Sequence, residues 1–551
     1  MSRKKLSRRE AISKGAALGV LGAGIVGGIV GYYAGSQTVT GAVQTVRETF
    51  TTTVRETITA SVAALVKYQN ALNRYGGTIN VVQEGEPTRL DPHVSTVFVE
   101  WWIENHIYEG LLRLNPYLEI EPGLAWYWEQ PDTKTIIFYL RKNVKFHNGR
   151  LMTSADVKYS FERVMDPNTG SPTKSYLDVI SSIETPDDYT VRLKLSKPSA
   201  VLLPKLAEAY GLRVAIVPKE AVDELATKPI GTGPFKFKEW VKGDHITLER
   251  FDDYWETGFP YVDKINFYFQ GDPDAMYTML KSGTVDFAEP IYYKYAKEVV
   301  TKDVNCVINK IGGFHWILMN AVADSPFKDK RVRQAVAHAI NRQELIDLVF
   351  FGYAAPIDHP LLPGTPWYVT SPALPYDPDK AKQLLADAGY PNGFDDEIVG
   401  APTPEERKIA EVVAAQLQRV GIRLRIKTPE IGAYIDEVIN KRTYHIADCG
   451  WTPPPEPDII LSAFFQTNGM INWTGFSDPD IDNLFERGRE ELDVSKRKLI
   501  YQQILNKVLP EAHVVFLEQT TRVQAWWRHL HGYVPRPDLS KLFHEVWTEK
   551  K

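Results

Sequence analysis

The side chains that could do chemistry are abundant aromatic rings and dispersed carboxylates. The 551 residues include 13 Trp, 27 Tyr and 69 acidic residues. Such rings line small-molecule sites, where a few polar groups then orient the ligand. A carboxylate pair suited to glycoside hydrolysis could arise by chance among so many acids, but the sequence has no HExxH, GxSxG, GxxxxGK[ST] or CxxC motif. These residues indicate no enzyme class, and we expect a protein that is not an enzyme.

No residue pattern indicates a cofactor, a metal or a nucleic acid. Gly231-Thr232-Gly233 lacks the third glycine of a dinucleotide loop, and Pro234 follows it. The 64 basic and 69 acidic residues give a net charge of −5, which provides no electrostatic basis for nucleic-acid binding. We expect no cofactor, and we leave open whether Cys306 and Cys449 form a disulfide. The histidines without metal-ligand spacing are His147, His245, His315, His338 and His359.

The first 70 residues carry the features of an exported protein. Six basic residues and one acidic residue precede an uncharged run over Gly15–Gly35, which is the order found in export signals. Ser7-Arg8-Arg9 is typical of a twin-arginine signal, and an ordinary secretory signal fits equally well. The apolar run is long enough to span a bilayer as a helix. We predict a signal or membrane anchor over 1–35, a Thr-rich stalk over 36–70, and a protein that is tethered outside the membrane or secreted.

Strand and turn signals begin the globular region. Thr78–Gln83 and Thr135–Leu140 are apolar enough for buried strands, and Asn148-Gly149 is a tight-turn signal. Thr153–Met165 opens with a capping-box pattern and predicts a helix.

The second half of the chain alternates helices with strands. Asp329–Phe351 carries apolar residues at helical spacing and predicts one helix. Asp377–Gly389 and Thr403–Gly421 each pair a capping residue and a proline at the start with a glycine at the end. Ile422–Lys427 alternates as a strand. This succession is typical of an α/β layer fold.

Motifs spread over about four-fifths of the chain resemble one known family. The motifs are, in chain order, EPTRLDPH from Glu86, YEGLL from Tyr108, LRKNVKFHNG from Leu140, TSADVKYSFER from Thr153, GTGPF from Gly231, RVRQA from Arg331 and AKQLL from Ala381. Together they resemble the family-5 extracellular solute-binding proteins of ABC importers, the oligopeptide- and dipeptide-binding group. Most of these motifs are turns and caps, so they indicate the fold more than the ligand.

The resemblance implies an α/β, two-lobed clamshell of the type II periplasmic-binding-protein kind, with an extra subdomain in the first lobe. By this analogy, the first lobe comprises 71–312 and 522–551, with the inserted subdomain at 116–225. The second lobe is 313–521. The chain would cross between the lobes near Gly312–Phe314 and near Glu518–Arg522. A monomer that closes on a small molecule and delivers it to a membrane permease is the implied function.

The ligand class depends on a departure from the family pattern. In peptide-binding members, an Asp three residues after a Gly-Trp pair holds the peptide ammonium, but after Gly450-Trp451 that position is Pro454. Some members have an Arg for the peptide carboxylate at the position where this chain has Asp448. Glu456 or Asp458 could substitute only if the loop differs. The resemblance therefore favours an oligosaccharide, with a peptide as the alternative.

Oligosaccharide-binding members stack aromatic rings on sugar faces and use polar side chains for the hydroxyl groups. For each residue, core packing or an ordinary structural role is the competing interpretation. Trp102 is a further aromatic candidate. The predicted ligand contacts are Trp451, Phe98, Glu100, Trp101, His315, Trp316, Asn320, Trp473, Glu518 and Asp458.

Overall fold

The computed structural model describes residues 74–207, 214–372, 374–452 and 456–550. The predicted signal, anchor and stalk precede residue 74 and lie outside the described residues, as does Pro454. Within the described ranges, none of the helices combines the length and the apolar character that crossing a bilayer requires.

One large mixed sheet runs through most of the described chain. Its strand order is β15-β14-β16-β12-β17-β11-β1-β10-β9-β8, with β13 paired to the side of β17. Pairing is parallel where β1 meets β10 and β11, and where β14 meets β15 and β16. The strands are β1 Thr78–Gln83, β8 Phe235–Val241, β9 His245–Arg250, β10 Lys264–Phe269, β11 Phe287–Ala288, β12 Val304–Met319, β13 Ala355–Pro356, β14 Phe394–Val399, β15 Ile422–Lys427, β16 Ile446–Trp451 and β17 Val514–Trp527.

Two long neighbouring strands join the two ends of this sheet. β12 and β17 pair antiparallel from Val304↔Trp527 to Leu318↔Val514. Their register shifts between Lys310 and Phe314 and again between His315 and Trp316, which are irregularities of the β-bulge type. Bulges bend a strand and re-aim its side chains. The pairing of His315 with Glu518 lies between the two shifts.

Smaller sheets complete the strand inventory. A four-stranded antiparallel sheet in the order β4-β5-β7-β6 accompanies two hairpin-like pairs, β2-β3 and β18-β19. These strands are β2 Leu112–Leu114, β3 Ile120–Pro122, β4 Ala125–Asp132, β5 Thr135–Leu140, β6 Ile180–Asp187, β7 Thr190–Leu195, β18 Leu530–His531 and β19 Trp547–Thr548.

The helices cover the sheets and mostly begin at capping side chains. Their bounds are α1 Phe98–Glu104, α2 Ser154–Met165, α3 Leu202–Ala207, α4 Pro273–Lys281, α5 Lys330–Ala339, α6 Arg342–Val349, α7 Pro378–Asp387, α8 Pro404–Gln418, α9 Ile431–Tyr434, α10 Pro457–Phe465, α11 Pro479–Glu490 and α12 Val494–Val508. A short π-helix, Ile435–Asn440, continues α9. The capping box of α2 forms between Thr153 and Asp156 as predicted.

The single helix predicted over Asp329–Phe351 is wrong, because the chain forms two helices there. α5 ends at Ala339, and the side chain of Asn341 accepts a hydrogen bond from the backbone N–H of Glu344 to begin α6. Asn is a strong N-cap residue, so it starts a new helix inside an otherwise periodic pattern.

The buried side chains form several separate clusters. One cluster consists of residues between Leu111 and Ile216, around the four-stranded sheet. A second combines strands from the first part of the chain with Trp526–Val546 at its end. Two more lie largely among residues beyond Met276, on either side of β12 and β16. The C-terminal segment therefore packs against the beginning of the described chain.

Candidate ligand-binding site

A cavity of about 590 Å³ is lined by residues in or after four strands of the large sheet and by the start of one helix. Glu84 follows β1, Tyr293 follows β11, Glu405 belongs to the first turn of α8, Trp451 ends β16, and Arg522 lies in β17. Loops at strand ends are common ligand sites in open α/β sheets, and the volume is suited to a small molecule.

His315 forms the centre of an acidic cluster in the cavity wall. Its Nδ1 lies 2.7 Å from Oε1 of Glu518, which is fully buried. Its Nε2 lies 3.6 Å from Glu406 and 3.7 Å from Glu405. Burial alone would lower the pKa of His315, but Glu518, Glu406 and Glu405 outweigh that effect and raise the pKa well above its usual value. The imidazole is therefore held in its charged form.

The two glutamates at the start of α8 have different environments. Thr403 caps the helix by accepting a hydrogen bond from the N–H of Glu406, and carboxylates are favourable at a helix N-terminus. Burial raises the pKa of Glu405, which His315 and Arg522 only partly offset. Burial also acts on Glu406, but the neighbouring His315 prevails and lowers the pKa. The Glu405 side chain remains about one-third exposed, at 36%.

Arg522 brings a positive charge to the same cavity. Its guanidinium lies 3.5 Å from the carboxylate of Glu84, and its side chain is 26% exposed. Burial would lower the pKa of Arg522, but Glu84, Glu405 and Glu289 raise it above its usual value. The cavity wall therefore contains fixed charges of both signs.

Aromatic side chains supply much of the remaining wall. Phe98, Tyr292, Tyr293, Phe314 and Trp451 all line the cavity. The Tyr293 hydroxyl donates a hydrogen bond to the Thr521 carbonyl, which ties the loop after β11 to β17. Trp451 packs against Phe464 of α10, with ring centroids 6.1 Å apart.

A second cavity of about 570 Å³ also reaches Trp451. One side is formed by residues near the four-stranded sheet, including Tyr176 and Lys197, and the other by Asp458 and α11. Asp458 accepts a hydrogen bond from Nε of Arg489 at 2.9 Å. Trp451 is thus the shared wall of the two cavities.

Three of the sequence-predicted contacts line the main cavity: Phe98, His315 and Trp451. Glu518 supports His315 from the interior, and Asp458 lines the second cavity.

The other predicted contacts have structural partners. Glu100 accepts hydrogen bonds from Thr88 and Thr96, and Trp101 packs with Phe98. Trp102 is buried, and its indole N–H donates to the Leu539 carbonyl.

Trp316, Asn320 and Trp473 belong to the interior and line neither described cavity. Trp316 and Trp473 are members of one buried cluster. Asn320 is fully buried, and its amide donates to the Arg442 and Tyr444 carbonyls. Core packing, the competing interpretation in the sequence, explains their positions.

Glu456, one of the two acids considered as substitutes, and Asp448, at the position where some family members have an Arg, are both engaged elsewhere. Glu456 caps α10 by accepting from two backbone N–H groups, and it pairs with Arg497. Asp448 is fully buried and accepts from the Ala401 N–H. Burial raises the pKa of Asp448 well above its usual value, so this side chain does not offer the cavity a negative charge.

Sequence reasoning missed Glu405, Glu406, Tyr293 and Arg522. Two acids in a first helical turn are an ordinary helix signal, so they do not distinguish a ligand site. Arg522 stands at a predicted crossing between lobes, and that position was the one signal in the sequence that could have indicated a ligand contact.

Cys306 and Cys449 are free thiols. In the described part of the chain, no group of three or more His, Cys, Asp or Glu residues is placed to hold a metal.

A charged, aromatic-walled cavity among segments from distant parts of an α/β chain defines a small-molecule binding protein. Comparison with known proteins gives the family. Residues 119–472 match the bacterial extracellular solute-binding proteins, family 5 middle, and the chain belongs to this family. It is the substrate-binding protein of an ABC importer, located outside the cytoplasm, and it is not an enzyme.

Relatives span nearly the same length of chain. The glutathione-binding protein GsiB of Pectobacterium atrosepticum is 28% identical over 473 residues, covering 83% of this chain and 92% of GsiB. The structure of AgaA from A. tumefacien R10, in complex with agropinic acid, has 30% identity and a TM-score of 0.73, covering 86% and 99% of the two chains. DppA from Helicobacter pylori, in complex with the peptide STSA, has 28% identity and a TM-score of 0.77, covering 88% and 100%. These neighbours have the type II periplasmic-binding-protein fold.

Proposed function

We propose that this importer protein binds a small zwitterionic ligand of the peptide kind in the main cavity. The observation that carries the proposal is the presence of Arg522 and Glu405 in the walls of the same cavity. A guanidinium recognises a ligand carboxylate, and a carboxylate recognises an ammonium, through charge-assisted hydrogen bonds. Glu405 and Glu406 then take the place of the aspartate that Pro454 replaces.

The unfavourable burial of the Glu405 carboxylate supports a charged ligand. Burial already raises the pKa of Glu405, which means that its charged form lacks full compensation. An ammonium group would offset this cost, whereas a neutral sugar would remove water without replacing it by a charge. GsiB is named for glutathione, and DppA was solved with a peptide. Both of those ligands carry an ammonium and a carboxylate.

An oligosaccharide remains the second candidate because aromatic rings line the cavity. Phe98 and Trp451 provide faces on which a sugar could stack. This prediction from the sequence is kept as the competing outcome of the same experiment.

The proposal includes closure of two lobes around the ligand. We infer a first lobe of 71–312 with 522–551, an inserted subdomain of 116–225, and a second lobe of 313–521. The cluster around the four-stranded sheet supports the inserted subdomain, and the packing of the C-terminal segment against the beginning of the described chain supports the first lobe. The ligand stabilises the closed form because only that form contacts it from both sides. The permease would then recognise the closed form. A monomer anchored by 1–35 through the stalk 36–70 would keep the site near the membrane.

The test is thermal unfolding of the protein with di- to pentapeptides and with short neutral oligosaccharides. A ligand at about 100 times its Kd should add about 2.7 kcal/mol to the free energy of unfolding. We expect peptides to stabilise the protein and their doubly blocked forms, acetylated and amidated, to fail. Stabilisation by oligosaccharides alone would refute the charged-ligand proposal and support stacking on Trp451.

A further inference from the structure

A lysine in the C-terminal segment is buried beside Glu289. The Lys541 side chain has 0% exposure, and so does Glu289. Their charged groups are 3.5 Å apart. The Lys541 ammonium also lies 3.1 Å from the ring centroid of Trp102. A fully buried lysine is rare and costly unless it is paired, so its position calls for a role.

The Lys541 pair is connected to the strand that carries Arg522. The second partner of Glu289 is Gln524, whose amide donates a hydrogen bond at 2.7 Å. Gln524 follows Arg522 by two residues in β17, so both side chains extend from the same face of the strand. Glu289 precedes the loop whose residues Ile291 and Tyr293 line the cavity.

Arg522 is therefore shared among several carboxylates. Glu84 lies 3.5 Å from its guanidinium, and Glu405 and Glu289 also raise its pKa. A guanidinium already surrounded by carboxylates has less capacity for a ligand carboxylate. The charge of Glu289 must be neutralised from elsewhere if Arg522 is to remain available, and Lys541 is the cation in contact with it.

We propose that Lys541 is a positioning residue for the ligand site, which neutralises Glu289 from the interior and so leaves Arg522 available to a ligand carboxylate. This inference rests on the proposed function, because it assigns that carboxylate to Arg522. Lys541 lines neither described cavity, so it acts through Glu289 and not by touching the ligand.

The pair gives the site a dependence on pH. Burial lowers the pKa of Lys541 to about 8, while Glu289 and Glu84 raise it and Arg522 lowers it further. Below this pH the lysine is charged and balances Glu289. Above it the lysine is neutral, and Glu289 competes with the ligand for Arg522. Affinity for a ligand carboxylate should fall as pH rises through this value.

The experiment measures binding of di- to tetra-alanine peptides and their C-terminal amides by calorimetry at about pH 7 and pH 9. We expect Lys541→Met to bind the free acids about tenfold more weakly at the lower pH. Between the two pH values it should lose no more affinity than Lys541→Arg, because neither variant has a titrating side chain at position 541. Lys541→Arg keeps its charge throughout, so it serves as the control for titration of the peptide ammonium.

A double variant separates charge balance from simple packing. Lys541→Met with Glu289→Gln removes both charges, so it should recover wild-type affinity and lose the additional pH dependence. The double variant also tests the inference if Lys541→Met alone fails to fold. Wild-type binding with no change in any variant would overturn the inference and leave the proposed function intact. Failure of the wild-type protein to bind any peptide acid would overturn both.

Discussion

Glu405 and Glu411 lie on the same helix, α8, but only Glu405 lines the cavity. Glu405→Gln keeps the shape of the side chain and removes the charge that would bind a ligand ammonium. A hydrogen bond to a charged group contributes about 1.5–3 kcal/mol, so we expect peptide affinity to fall about 10- to 100-fold. Glu411→Gln, whose side chain pairs with Lys408 on the exposed face, is the matched control. Equal calorimetric affinities for both variants would contradict the role of Glu405.

His315 should make stability depend on pH in a defined direction. Its pKa is raised well above its usual value because nearby glutamates outweigh burial. The protonated imidazole therefore stabilises the folded protein fully below the unfolded-state pKa of about 6.5. This contribution is lost as pH rises through the higher folded-state pKa, because the folded protein then also releases the proton.

Urea unfolding of the wild type and of His315→Gln tests this direction. The difference in the free energy of unfolding should be largest at about pH 6 and should shrink toward about pH 9. His338→Gln, at a histidine that lies outside the cavity, is the control. A difference that grows with pH would show that the imidazole is neutral in the folded protein.

At the scale of single elements, the helix and strand boundaries followed well from sequence. Ile422–Lys427 forms β15 with the predicted bounds, and Asp377 caps α7 through the Lys380 N–H. Caps and strand patterns are decided by neighbours in the chain, so a sequence contains them. The break between α5 and α6 is also a local feature, because the capping residue Asn341 begins the second helix. It was missed because the helical spacing of apolar residues continues across it.

The site could be predicted only in part because its members meet through tertiary packing. Trp451 was found from a motif, whereas Glu405 and Arg522 come from α8 and β17, which are distant in sequence. Their significance arises from facing one cavity, and no local pattern encodes that. Lys541 has no sequence signal at all, since its burial depends on how the C-terminal segment docks.

The GTGPF motif gives a prediction about element packing. A Cβ at Gly231 would lie 2.1 Å from the Ile107 carbonyl oxygen, which is backbone and unable to move aside. Gly231→Ala should therefore destabilise the protein by about 3 kcal/mol, as overpacking does, and lower its Tm. Gly432→Ala is the control, because nothing lies within 4 Å of that position and it is helical. A wild-type Tm for Gly231→Ala would refute this explanation of the motif.

At the scale of the whole molecule, β12 and β17 are the strands that the two proposed lobes share. Contacts far from these strands must then decide how firmly the lobes close. One such contact joins the segment after β7 to α11: Lys197 pairs with Glu486 and lies 3.5 Å from Glu490. The Ala200 N–H also donates to the Arg489 carbonyl at 2.7 Å. Lys197, Glu486 and Arg489 also line the second cavity.

Charge reversal at Lys197 should therefore weaken closure without touching the main cavity. In Lys197→Glu the new carboxylate faces Glu486 and Glu490. Because the Lys197–Glu486 pair is exposed, losing it should destabilise the closed form by only about 1 kcal/mol, which lowers peptide affinity about fivefold. Small-angle scattering with saturating peptide should show a larger radius of gyration than the wild type. Lys228→Glu, at an exposed lysine that pairs with Glu224 four residues earlier, should leave both quantities unchanged.

Adding Glu486→Lys to Lys197→Glu should restore part of the affinity, because the new lysine recreates the pair in reverse. If Lys197→Glu binds and closes like the wild type, the contact does not stabilise the closed form, and closure depends on the ligand and the two shared strands.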